Sequence, residues 1–407
     1  MTTPPHQASN SFVIQDVRIF DGTRVTGTGS VLVVDGRIAE IGRVTAPPGT
    51  PEYDGRGKTV LPGLIDGHTH SPWGKPDADR RDALRLGVTT ELDMQGDPEL
   101  IAGAKRQRES LERTDQADLW SAGIGITVPG GAPPEYPNLP NPPKLDAGAD
   151  PGRFVADRIG EGSDYLKIFF EDGSVFGQPM PTLTPGQLHA IVAAAHRHGR
   201  MAIAHVTELE HARTAVEAGI DGLAHMLLTT ADETFVEAIR KSGAFVTTTL
   251  SSFDRGLGAD ELLADPRVLP YLSAEQFDAL KYRDSPGDSG WLRVGSRNVA
   301  RLHAAGVPIF AGSDAGVGAG SQGAHGATLL AELTHLVRAG LTPAQALTAA
   351  TAAPARRYRL TDRGRVAPGL RADLLLVEGN PAEDITAVRE IAVIWKNGYP
   401  IDRRVGT

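Results

Sequence analysis

Between about residues 62 and 360, short apolar runs alternate with stretches of helical periodicity, and the alternation repeats eight times. The runs centre on Val60–His70, Val88–Leu92, Leu119–Ile124, Tyr165–Phe170, Met201–His205, Gly222–His225, Phe245–Leu250 and Pro308–Asp314. Thr184-Pro185 and Thr342-Pro343 read as helix N-caps followed by proline in the first turn. Eight βα units predict an α/β fold of the closed (β/α)8 TIM barrel type. An open doubly wound sheet is the competitor, but it does not normally run to eight such units.

The two ends of the chain have a different character. Phe12–Val44 alternates β-rich runs with the turn pairs Asp21-Gly22 and Asp35-Gly36, which are hairpin signals. Ala372–Val377 and Ile391–Trp395 are also strand-like, the second closing on Asn397-Gly398. Neither end is large enough to fold alone. We therefore expect residues 1–61 and 361–407 to pair into a small β-sandwich beside a barrel of residues 62–360.

Polar residues gather at the carboxyl ends of the apolar runs, where barrel enzymes place their chemistry. The first run ends in His68 and His70, two apart and so on one face of a strand. The fourth carries Lys167 between Leu166 and Ile168, the fifth ends in His205, the sixth in His225 and the eighth in Asp314. A lysine in such surroundings is buried, and an unpaired buried ammonium costs several kcal/mol. As a carbamate, formed with carbon dioxide, it would instead carry a negative charge over two oxygens and could bridge two metals.

With no cysteine in the chain, thiolate sites and nucleophiles are excluded, so a metal must use His, carboxylate or modified Lys. The net charge of -9 without a basic block argues against nucleic acid. No apolar run approaches the roughly 20 residues that span a bilayer, and the polar first residues lack the apolar stretch of a signal peptide. These absences lead us to expect a cytoplasmic enzyme without membrane partners.

The motifs G-L-I-D-G-H-T-H at 63–70, Y-L-K-I-F at 165–169, A-I-A-H-V at 202–206, G-I-D-G-L-A-H at 219–225 and A-G-S-D-A at 311–315 resemble the amidohydrolase superfamily of metal-dependent hydrolases. The tail G-R-V-A-P-G-L-R-A-D-L-L-L-V at 364–377 is similar to that family's return into its small sandwich. Lys167 and the A-x-x-A-V-E-A-G run after His205 resemble the imidazolonepropionase-like and prolidase-like branch. The resemblance implies that His68, His70 and Asp314 hold one metal, that His205 and His225 hold a second, and that carboxylated Lys167 bridges them. Zinc suits such ligands. It further implies hydrolysis of an amide or peptide C–N bond in a small molecule (an N-acyl amino acid, a dipeptide or a related amide) by a metal-bridging hydroxide. Asp314 would act as general base and then general acid, and ester or lactone cleavage could use the same groups.

Two other readings stand beside this one. In His205-Val206-Thr207-Glu208, Glu208 could instead shuttle protons in a mononuclear zinc deaminase, where His225 would help activate water and Lys167 would bind no metal. A non-catalytic scaffold would have lost ligands that are present here. Specificity is expected from the long connections 127–150 and 251–289, with Tyr136, Tyr271, Phe277 and Tyr282 as wall candidates. Simple disorder is the alternative for the first connection, which is rich in proline and glycine. His325, in the Gly-rich stretch after Asp314, is a candidate substrate contact, as is Glu208. The other histidines, His189, His196, His198, His211, His303 and His335, fall on helices as surface or packing residues. A homo-oligomer is expected on general grounds.

Overall fold

The protein is described by a computed structural model covering residues 9–70, 76–112, 115–133, 142–282, 290–316 and 323–405. The eight expected parallel strands are present: β1 (Leu64–Thr69), β2 (Val88–Asp93), β3 (Asp118–Ser121), β4 (Leu166–Phe169), β5 (Ala202–His205), β6 (Gly222–Ala224), β7 (Phe245–Thr247) and β8 (Ile309–Phe310). They form two parallel sheets, β1-β2-β3 and β8-β7-β6-β5-β4, rather than one continuous ladder. Backbone hydrogen bonds link the sheets at both edges. Asp314 N–H donates to the His68 carbonyl (2.9 Å), and His70 N–H to that of Ala315 (2.8 Å). At the other edge, Ile126 N–H donates to the Lys167 carbonyl (2.8 Å), and Phe169 N–H to that of Ile126 (2.9 Å).

Helices between the strands cover the sheets, which is why the strands are buried along nearly their whole length. Thr184 and Thr342 each complete a capping box, with Gln187 and Gln345 respectively, as the Thr-Pro pairs predict. The last strand is shorter than its apolar run. At Asp314 the backbone turns into the left-handed region (φ 58°), which ends the extended conformation.

Both ends of the chain meet in one eight-stranded mixed sheet. Its order is Tyr399–Pro400, Ile391–Lys396, Leu374–Glu378, Lys58–Pro62, Phe12–Phe20, Val25–Val34 and Arg37–Gly42, with Glu52–Asp54 pairing Phe12–Phe20. Asp35-Gly36 and Asn397-Gly398 form tight turns with positive φ at both residues, as hairpin connections require. Phe12 stacks on Trp395 at 4.5 Å in this sheet's own apolar core.

The connection 251–282 is built of short helices, Leu257–Leu263 and Ala274–Lys281 among them. Among its aromatic residues, Tyr271 lies under the Arg403 guanidinium (3.6 Å), Lys281 lies over Phe277 (5.0 Å), and Tyr282 is exposed. No helix among the described residues is long and apolar enough to cross a membrane.

Candidate metal centre

The strand ends bring all six proposed ligands into one cluster. Asp314 Oδ1 lies 3.0 Å from His70 Nε2 and 3.3 Å from His68 Nε2. Lys167 Nζ lies 3.5 Å from His68 Nε2. His205 Nδ1 and His225 Nε2 are 3.0 Å apart, and His225 Nδ1 is 3.9 Å from Asp314 Oδ2. In the pairing register Lys167 sits beside Ile203 and Phe169 beside His205, so Lys167 lies on the same face one layer deeper than His205.

Burial pushes all four imidazoles below the ordinary histidine value, His68 and His205 far below it and His225 to about 4. These rings are therefore neutral, the form that binds a metal. Burial likewise lowers the Lys167 amine to about 7, against the pull of Asp314 and Asp93. For Asp314 burial acts upward, but facing His225, His70 and Lys167 outweigh it and hold the carboxyl at about 2.

Ligand atoms of His68, His225 and Asp314 all lie within 4.8 Å of one another. The buried Nδ1 of His68 has no hydrogen-bond partner among the described residues. Neutral imidazoles beside a carboxylate, with little else to satisfy them, fit a divalent cation.

A layer behind these residues carries information that the motifs did not reveal. Asp66 Oδ1 accepts from the backbone N–H of His68 (3.2 Å) and of Ser313 (2.9 Å), tying the strand ends that carry His68 and Asp314. Gly67 and Gly312 allow that approach: a Cβ on Gly67 would lie 2.7 Å from the Ala311 carbonyl, and one on Gly312 would lie 2.7 Å from His68 Cβ. Thr249 Oγ1 stands 2.8 Å from His225 Nδ1, and Ser252 Oγ donates to Asp314 Oδ2 (3.2 Å). Asp66 could have been noticed as a carboxylate inside an apolar run. Thr249 and Ser252 had no such signal in T-T-T-L-S-S.

Two of the substrate contacts expected from sequence have defined partners of their own. His325 is buried with Nδ1 2.8 Å from Glu91 Oε1, in an internal ion pair. Glu208 Oε2 accepts from Ser174 Oγ (3.2 Å) and lies 3.2 Å from His211 Nδ1, in a half-buried cluster with Asp172. Tyr136 lies outside the described residues. Two helix histidines also have defined partners: His196 meets Asp221 (2.8 Å), and His335 meets buried Asp254 (2.7 Å).

A family model described as the amidohydrolase family matches residues 59–401. The chain belongs to that family. It is a hydrolase acting on carbon–nitrogen bonds. Imidazolonepropionase of Deinococcus deserti is 27% identical over 393 residues, spanning 91% of each chain. Adenine deaminase of Halalkalibacterium halodurans is 25% identical over 409 residues, which are 97% of this chain and 58% of that protein. The crystal structure of a Xaa-Pro dipeptidase with methionine bound in its active site superposes with a TM-score of 0.74, covering 96% of this chain and 100% of that one at 22% identity. That last likeness speaks to the amidohydrolase fold.

Proposed function

We propose that the protein is a dinuclear metal-dependent amidohydrolase cleaving the C–N bond of a small amide or peptide, as the imidazolonepropionase and dipeptidase likenesses suggest. In this reading His68, His70 and Asp314 hold one ion, His205 and His225 hold the other, and Lys167 joins them as a carbamate. Zinc is the metal these nitrogen and oxygen donors suit best. The two parallel sheets with their linked edges are read as one (β/α)8 ring over residues 62–360. The end segments 1–61 and 361–407 are read as its flanking β-sandwich.

Lys167 is the observation that carries the proposal. It is 1% exposed, and among the described residues no carboxylate lies within ion-pair distance of its amine. A buried amine near pKa 7 is substantially unprotonated at neutral pH, the form that attacks carbon dioxide. Carbamate formation from the neutral amine releases one proton, and a second is given up where the side chain starts as the ammonium, so that an anion stands among neutral imidazoles in place of a costly cation. When bound, two divalent ions would polarise the scissile carbonyl and acidify water. Asp314, ionised and held by Ser252 on one oxygen, can take a proton from that water and return it to the departing amine.

The mononuclear deaminase reading keeps one observation in its favour, the adenine deaminase that matches nearly the whole chain. It leaves Lys167 without a role and asks Glu208 to leave Ser174 and His211. Elemental analysis of chelator-free protein decides between them. We expect about two ions per chain, falling sharply in Lys167→Ala. One ion, indifferent to Lys167→Ala and coupled with activity lost in Glu208→Gln, would establish the deaminase instead. No metal would overturn both.

A further inference from the structure

Aromatic residues make up only 5% of the chain, yet three of their rings, from three separate segments, run outward from a proposed metal ligand. Phe253 meets His225 edge-on, with ring centroids 6.5 Å apart. Trp291 meets Phe253 edge-on at 6.4 Å, and Phe176 meets Trp291 the same way at 5.4 Å. Phe176 belongs to the short turn after β4, Phe253 to the turn after β7, and Trp291 opens the helix leading to β8. Phe176 and Phe253 therefore follow strand ends on the face that carries the metal ligands.

These rings are not core. Phe253 and Trp291 are half-buried and Phe176 is 37% exposed, so the series opens from the interior to the surface. Its position is fixed rather than incidental. The turn bearing Phe176 is anchored by Ser174, whose N–H donates to Asp172 (2.9 Å) and whose hydroxyl donates to Glu208 (3.2 Å). Partly exposed apolar surface continuous with a polar reaction centre is the usual composition of a ligand site. The Arg255 guanidinium lies over the Trp291 ring (5.8 Å), and the part-exposed rings of Phe253 and Phe176 can pack against a further planar group.

We propose that Phe253, Trp291 and Phe176 are the specificity wall of this enzyme, and that its substrates are amides carrying a planar aromatic group beside the scissile bond. This rests on the metal-hydrolase reading, because the wall gains its meaning from starting at His225.

Hydroxamates test it without knowledge of the natural substrate, since they chelate metal through a constant headgroup. Acetohydroxamate, cyclohexanecarbohydroxamate and benzohydroxamate would be titrated into the metal-containing protein while tryptophan fluorescence and competition are followed. We expect the phenyl compound to bind about tenfold tighter than the cyclohexyl one, and tighter still than the methyl one. The phenyl-to-methyl ratio should collapse toward one in Trp291→Ala and recover in Trp291→Phe. Equal affinity for phenyl and cyclohexyl compounds would overturn the wall and leave the metal reading standing. So would a ratio that survives in both Trp291→Ala and Phe176→Ala. Failure of all three compounds to bind would bring down the metal reading, and the wall with it.

Discussion

Thr249 holds its hydroxyl against His225 from a left-handed backbone conformation (φ 46°), where a β-branched residue is rarely found. A hydrogen bond to the far nitrogen of a ligating imidazole fixes the ring's tautomer and direction. Thr249→Val keeps the shape and the backbone preference but deletes the hydroxyl. We expect metal affinity, measured by competition with a chelator, to fall by roughly 10- to 100-fold, with Thr249→Ser restoring it. His325 makes a different kind of statement. Burial acts to lower its pKa, but Glu91, Asp79 and Asp66 outweigh burial and raise it to about 9. A folded value above the ordinary 6.5 means that the pair's stabilisation is complete below pH 6.5 and is lost as pH rises through about 9. Denaturant midpoints from pH 6 to 10 should therefore decline in the native protein, and the decline should flatten in His325→Gln. An unchanged slope would show that the imidazolium is not the group responsible.

The turn that supplies Thr249 and Ser252 is held from behind by one helix, Ala327–Arg338. Its Glu332, fully buried, accepts from Ser251 N–H and Oγ (both 2.8 Å) and from the Thr248 hydroxyl. One turn of helix later His335 grips Asp254, whose other oxygen accepts from Gly256 N–H. Glu332→Ala leaves buried donors without an acceptor, so we expect a loss of about 1–3 kcal/mol in unfolding free energy, accompanied by weaker metal retention. A large stability loss with metal affinity untouched would separate the helix from the centre. Periodicity revealed that a helix exists here, because apolar spacing is a local property. It could not reveal that Glu332 faces the reaction side, because that depends on which turn the helix packs against. The same division holds across the site. His68, His70, Lys167, His205, His225 and Asp314 each have a structural explanation singly, but six such groups at or near the ends of apolar runs are hard to explain together as packing. Thr249, Ser252 and Phe253 sit in an irregular turn whose path no repeat dictates. His325 was legible as important, but its partner Glu91 lies 234 residues away, and only folding joins them.

At the scale of the whole molecule, the end sheet and the parallel strands are joined by a buried charged cluster. Lys396 Nζ, fully buried, lies 2.9 Å from Asp118 Oδ2 at the start of β3 and 3.0 Å from Asp373 Oδ2. Arg363 also meets Asp118, and Arg371 reaches Asp362. Asp118 thus takes cations from the carboxyl-terminal segment while standing in a strand of the parallel sheet. The last stretch of chain is thereby fastened to the element order around the site. The cluster's charges compensate one another only as a set, since each carboxylate is removed from water. Lys396→Met preserves much of the volume but leaves Asp118 and Asp373 short of a cation. We expect it to cost about 3–5 kcal/mol, read from the urea midpoint. If the end sheet and the parallel strands form one cooperative unit, the transition remains single and its denaturant slope is unchanged. A variant that unfolds in two steps, with the metal retained through the first, would show that the end sheet is an appendage and that the centre stands on the parallel strands alone.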